Sequence, residues 1–317
     1  EIVQEAIEKG CNLIIAHHPI IFSGLKSLTG KTYIERTIIK CIQHNIALYA
    51  IHTNLDNYKL GVNFEIGTRL GLENLRILAP KSGVLKKLTV FVPEENATAL
   101  ANALFEAGAG TIGNYEDCSF NSQGIGTYMG NEHSNPEIGA RFEFVETSEI
   151  KIEVTFEKYL QPKILKALFK NHMYEEVAYE VYDLKNEHQQ IGLGMIGELK
   201  QPMEEKNFLN LVKEKMLCGG IRHSEFLRKP IQKVAVLGGS GGFAIGKAKS
   251  MGADIFITAD LKYHQFYEAE KQLIIADIGH YESERYTKNY IYDFLIKKLP
   301  NFAIILSELN TNPIKHL

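Results

Sequence analysis

Cysteine is scarce and scattered. The four, Cys11, Cys41, Cys118 and Cys218, stand far apart and form no C-x-x-C pair. That spacing argues against a disulfide framework and against an all-cysteine zinc site, and a reducing cytosol fits best. Long apolar runs are missing too: none approaches the roughly 18–20 residues that span a bilayer, and no secretory leader is expected from the first residues. Basic charge is not in excess, with Lys+Arg 35 against Asp+Glu 38 and a net charge of −3. A general nucleic-acid or membrane-surface binder would be basic. There is no low-complexity tract and no short-period repeat.

The 317 residues are 45% hydrophobic and 23% charged, enough apolar material for a sizeable core and for roughly two domains. The chain opens at Glu1, directly in helical spacing (Ile2, Ala6, Ile7) closed by Gly10, and an N-terminal segment is expected to precede it.

The outer parts read as α/β. "NLIIA" and "IALYAI" are short solid-apolar strands separated by the helical "YIERTIIKCIQHN", and "VNFEIGTRLGL" is a further helix. Near the C-terminus "KVAVLGG", "ADIFITA", "QLIIADIG" and "FAIILS" are strands alternating with helical segments, the last a long helix through "ESERYTKNYIYDFLIKKL". Solid apolar strands with intervening helices imply βαβ units and a parallel core. The middle differs. "KLTVFVP", "EIKIEVTFE" and "VAYEVYDL" alternate, two helices interleave with them, and "NSQGIGTYMGNEHSNPEIGA" (121–140) reads as a long mobile loop. The order suggests a ferredoxin-like antiparallel sheet. The expected organisation is therefore an α/β, parallel-rich domain in two parts, residues 1–82 and 189–317, with a ferredoxin-like α+β domain, residues 83–188, inserted between them.

Three apolar strands run into metal-binding residue types. "LIIA" leads to His17 and His18, "LYAI" to His52 with Asp56 four residues on, and "LIIADIG" to His280 with Glu284 four residues on. Ligands bind outside the carboxyl ends of strands in open parallel sheets, so these residues should meet at one rim. His280 and Glu284, if helical, share one face. Each signal alone has an ordinary reading as strand-end hydrogen bonding or a solvated helix start; together they point to a metal. The donor types suit zinc, iron or manganese without choosing among them, with zinc the first expectation. Five donors, His17, His18, Asp56, His280 and Glu284, exceed what one ion with an open position takes and fit two ions bridged by a carboxylate.

"IIAHHPIIF", "HTNLD", "ITADLKYHQ" and "DIGHYESE" resemble, in order and separation, the GTP cyclohydrolase I type 2 homologues, also called NGG-one interacting factor three-like proteins. The resemblance covers about residues 1–80 and 190–317. It implies a dinuclear metal centre on His17, His18, Asp56, His280 and Glu284, with Glu284 bridging. It also implies a middle domain of PII/CutA-like fold and a homo-oligomer, a toroidal hexamer. By the family's name the substrate is a small molecule, a purine nucleotide such as GTP, attacked at carbon by metal-activated hydroxide. A two-metal phosphoesterase, or a metal-binding regulatory or assembly protein without turnover, are the alternatives.

Other residues complete the expectation. His52 is a catalytic candidate, as a supporting group, substrate contact or proton shuttle. His264, four residues after Asp260, is the candidate general acid/base, against a plain surface histidine paired with that aspartate. "GGSGG" offers Gly239, Ser240 and Gly241 as a weak phosphate cradle at a helix start, with a tight turn as the equal alternative. His44, His133, His172 and His316 are expected at helix ends or on the surface, without function.

Overall fold

The apolar runs of the C-terminal part become strands buried on both faces in the computed structural model, which describes residues 1–316, whereas Leu13–Ala16 and Ala47–Ala50 are largely exposed. The chain divides into two compact units, residues 1–79 with 190–317, and residues 80–189.

The first unit is mixed α/β. Its six-stranded sheet runs in the order Leu72–Ser82, Glu187–Met203, Ile231–Ser240, Ile255–Ala259, Ile274–Asp277, Arg222–His223. The three strands Ile231–Ser240, Ile255–Ala259 and Ile274–Asp277 are parallel, with Val234 opposite Ile255 and Ile255 opposite Ile274. Glu187–Met203 and Arg222–His223 pair antiparallel on either side of them.

Alternate residues of the parallel strands feed two cores. Val234, Val236, Ile255, Ile257, Ile274 and Ala276 face the helices Val62–Arg69 and Glu205–Met216 through Val62, Ile66, Phe208 and Val212. Ala235, Leu237, Phe256 and Ile275 face Ala244, Ile245, Ala248 and Leu261. Covering both faces is what solid apolar strands require.

Leu13–Ala16 and Ala47–Ala50 do not join this sheet. They form a separate two-stranded parallel sheet with Leu13 opposite Ala47. The expectation of a single sheet carrying every strand end is therefore corrected: two sheets supply them.

The second unit follows the order strand Leu85–Pro93, helix Glu94–Glu106, strands Ser119–Met129 and Phe144–Glu157, helix Gln161–Asn171, strand Tyr179–Leu184. Its four-stranded sheet is antiparallel at every pairing, in the order Ser119–Met129, Phe144–Glu157, Leu85–Pro93, Tyr179–Leu184. Leu88, Val90, Val92, Ile152 and Val154 pack with Leu100, Leu104, Ile164 and Leu168 of the two helices.

Four local expectations change. Residues 121–129 are strand, not loop, because they pair without interruption along Glu146–Ile152 and their neighbours; cross-strand pairing overrides the glycine and asparagine content. "FAIILS" forms no strand, and Phe302 and Ile305 are exposed. The long helix breaks into His280–Glu284 and Thr287–Lys298. At the break Arg285 donates to Leu217 O, Tyr286 donates its hydroxyl to Lys215 O, and the Arg69 guanidinium lies 3.5 Å from the Tyr286 ring centroid. His172 is buried, its Nε2 2.9 Å from Phe91 O and its Nδ1 accepting from Tyr174 N. No helix among the described residues is long and apolar enough to cross a membrane.

Candidate metal centre

The end of the small parallel sheet delivers the first donors. After Ala16 and Ala50 the ladder continues for one more step, with His52 N donating to His17 O at 2.8 Å. His52 has φ 32, an uncommon conformation for a non-glycine residue and one that clusters at functional sites. It opens the helix His52–Asn57, which carries Asp56 one turn later. Asn63, buried, donates from Nδ2 to Asp56 O and accepts Gly238 N on Oδ1 at 2.8 Å. One amide thus ties the Asp56 helix to the glycine loop.

The six-stranded sheet delivers the rest. Ile274–Asp277 leads through Gly279 into the one-turn helix His280–Glu284. Ser283 accepts Gly239 N at 2.9 Å and donates to His280 O at 2.8 Å. The pairing of Ile231–Ser240 with Ile255–Ala259 shifts register between Val236 and Ser240, so Gly238 and Gly239 sit in the irregular stretch, a device that re-aims backbone beside sites.

Five side chains expected at the site converge, all from the first unit. His17 Nε2 lies 3.4 Å from Asp56 Oδ1 and 3.6 Å from Glu284 Oε1. His18 Nε2 and His280 Nε2 each lie 3.2 Å from Glu284 Oε2 and 3.1 Å from one another. Donors of His17, His18 and Glu284 all fall within 4.8 Å of one another, a group that could hold a metal ion. His17 and Glu284 are nearly buried, whereas the His18 side chain is 49% exposed. The cluster therefore has a dry floor and an open side.

Electrostatics match a cationic occupant. Burial alone would raise Glu284, but the adjoining imidazoles of His17 and His280 outweigh it and hold the carboxyl at about 2. His280 is pushed up to about 9, chiefly by Glu284, against burial and with help from Asp260. Burial lowers His18 and raises Asp56. Among the described residues His17 Nδ1 is buried without a hydrogen-bond partner, and the buried His17 Nε2 and Glu284 Oε2 have ion-pair neighbours but no contact of hydrogen-bond geometry, an arrangement native interiors rarely leave unanswered. Three donors separated by 3.1–3.2 Å match the roughly 2.9–3.4 Å between ligands that share an ion at ~2.0–2.1 Å. The residues present fit a divalent metal.

His52 stands just behind, its ring centroid 5.6 Å from that of His17 and 5.2 Å from that of His18. His264 is exposed; its side chain makes a ring contact with Tyr263 and no hydrogen bond or ion pair among the described residues. Asp260 turns instead to His280, with Oδ2 2.7 Å from Nδ1. Sequence reading missed that partnership, along with Asn63 and Ser283. Asp260 has φ 55, and its loop is pinned where Asp277 accepts both Leu261 N and the Arg222 guanidinium.

The amides of Gly238 and Gly239 are donated inward, to Asn63 and Ser283. A side-chain carbon on Gly239 would stand 2.4 Å from Glu284 Oε1. Ser240 is exposed, and Gly241 O accepts Ala244 N.

A mixed α/β chain with a half-buried His–carboxylate cluster at its strand ends is the class these features define. Residues 1–313 match the family described as Duf34/NIF3 (NGG1p interacting factor 3), and the chain belongs to that family. It is 40% identical over 322 residues to the GTP cyclohydrolase 1 type 2 homolog of Bacillus subtilis, covering 100% of this chain and 86% of that protein. The Halalkalibacterium halodurans protein of the same name is 41% identical, covering 98% and 85%. Among solved structures, a Bacillus cereus protein related to NIF3 superposes with a TM-score of 0.83 at 40% identity, over 100% of this chain and 86% of that one. A Staphylococcus aureus protein gives 0.78 at 31% identity, over 100% and 85%.

Proposed function

We propose that this chain is a dinuclear metal-dependent hydrolase of the GTP cyclohydrolase 1 type 2 homologue kind, acting on a purine nucleotide or a related small molecule. The observation that carries the dinuclear reading is the division of labour at Glu284. Its Oε1 faces His17, which also meets Asp56, while its Oε2 faces His18 and His280. Two donor sets sharing one carboxylate support two ions, zinc first and iron or manganese as alternatives. The ions would supply Lewis acidity and an activated water at neutral pH.

The chain's own residues have separable tasks. Glu284 would bridge, His17 with Asp56 would hold one ion, and His18 with His280 the other. Asp260 fixes the His280 ring by taking up its Nδ1 side, the orientation in which Nε2 is free to ligate. The nearness of His52 to both His17 and His18 supports it, over His264, as the group that moves protons or contacts substrate. With the Gly238 and Gly239 amides donated inward, the Gly239–Gly241 segment is better supported as a seat for Glu284 than as a phosphate cradle. The β-α-β-β-α-β order and wholly antiparallel sheet support reading the middle unit as an inserted ferredoxin-like domain. Assembly into a ring of six belongs to the same reading and rests on the family resemblance.

The test is direct. The full chain, purified without chelator, should carry about two divalent ions, and should convert GTP in a chelator-sensitive reaction followed by chromatography. Conversion of a generic phosphodiester instead would favour the phosphoesterase. Two ions with no turnover of either would favour a regulatory or assembly role. One ion or none per chain would overturn the dinuclear reading.

Asp260 provides a graded check. Removing the outer partner of a ligating histidine costs ~10–100-fold in metal affinity, so Asp260→Ala should weaken zinc binding by that factor in a calorimetric titration. His264→Ala, which breaks no hydrogen bond or ion pair, should leave it unchanged.

A further inference from the structure

The ligand helix is too short to hold its own shape. His280–Glu284 is five residues long, well below the ~12–15 residues at which an isolated helix becomes even marginal in water. The direction of His280 and Glu284 must therefore come from what grips the turn between them. One grip is Ser283 on Gly239, within the cluster itself.

The other comes from far along the chain. Glu282 is buried, and its Oε1 accepts Asn312 Nδ2 at 2.9 Å. Asn312 is fixed on every side. Its Oδ1 accepts Ile314 N at 3.0 Å, its backbone N donates to Asn310 Oδ1 at 3.0 Å, and its carbonyl accepts Lys315 Nζ at 3.1 Å. An amide with a carboxylate on one side and an N–H on the other has only one satisfactory orientation. Upstream, Ser307 donates to Glu5 Oε2 and its carbonyl accepts Lys288 Nζ. This otherwise irregular segment is tied to the rest of the chain at Ser307 and at Asn312, and among the described residues Asn312 makes its one hydrogen bond to the ligand helix.

The geometry points to Asn312, acting through Glu282, as a positioning residue for the metal centre. The segment 307–315 works as a strap that sets the pitch of the ligand turn. This inference rests on the metal-site reading above and extends it to a residue outside the four motifs that carried the family resemblance. Asn312 touches no donor atom. Its effect is on where His280 and Glu284 point.

Cobalt(II) is the probe, titrated into the full chain while its ligand-field spectrum is recorded, with the thermal midpoint of the metal-free protein measured alongside. Asn312→Ala should weaken cobalt binding ~10–100-fold, the cost typical of an outer support, and should alter the band shape. Asn312→Asp should weaken it at least as much, because two carboxylates then face each other. Glu282→Gln combined with Asn312→Asp restores a hydrogen bond of opposite direction and should recover most of the affinity and the wild-type spectrum. A wild-type spectrum and affinity in Asn312→Ala would overturn the inference, as would a lowered thermal midpoint with unchanged cobalt binding, or a double variant that recovers nothing. A wild-type chain that takes up no cobalt would overturn the metal reading and this inference together; uptake equal in wild type and variants overturns this inference alone.

Discussion

Glu284→Gln should leave the chain with essentially no bound metal, while Asp56→Asn should lose one ion and keep the other. The asymmetry follows from the contacts. Glu284 reaches His17 with one oxygen and both His18 and His280 with the other, so removing its charge and one acceptor strips a ligand from both sets. Among the described residues the Asp56 carboxylate pairs with His17 alone. The first-layer loss at Glu284 should exceed the ~10–100-fold effect of outer partners at each ion. Glutamine keeps the size of the side chain, so the comparison isolates charge and coordination from packing. Elemental analysis of the two purified variants beside wild type gives the readout. Equal loss in both would argue for a single ion shared by all five residues. Full retention in Glu284→Gln would remove the carboxylate from the ligand set altogether.

The parts of this site that were legible in the sequence are those where composition changes abruptly along a strand. Leu13–Ala16 running into His17 and His18, and Ile274–Asp277 running into His280, replace apolar residues with imidazole at the place where parallel strands end. The four-residue step from His280 to Glu284 is a helical spacing, and the turn is helical. What stayed hidden depends on backbone conformation and on pairing. Asp260 looked like a partner for His264 because four residues separate them; φ 55 at Asp260 turns its carboxylate to His280, twenty residues on. Asn63 and Ser283 lie within otherwise ordinary helical segments, and nothing about an asparagine or a serine there predicts which amide it will take up. Glu282 and Asn312 are thirty residues apart and joined by one hydrogen bond, a contact with no periodic signature. The strand at residues 121–129 was missed because its register is imposed by Phe144–Glu157 across the sheet, not by its own glycine-rich sequence.

Gly239→Ala should abolish metal binding although it touches no ligand covalently. Two costs combine there, and Gly252→Ala separates them. Gly239 and Gly252 have nearly the same positive φ, 68 and 71, so each alanine should cost ~1–2 kcal/mol for entering the left-handed region. At Gly252 nothing lies within 4 Å of the new carbon, whereas at Gly239 it would meet Glu284 Oε1 at 2.4 Å and His280 Cε1 at 3.4 Å. The second variant can fail only through backbone strain; the first must also push the carboxylate out of place. Thermal or urea unfolding of the metal-free proteins should show the two destabilised, Gly239→Ala somewhat more. Metal analysis should then split them, with Gly252→Ala loaded like wild type and Gly239→Ala empty. If both load fully, Glu284 has room to move without losing its role, and the glycine loop is not what aims it.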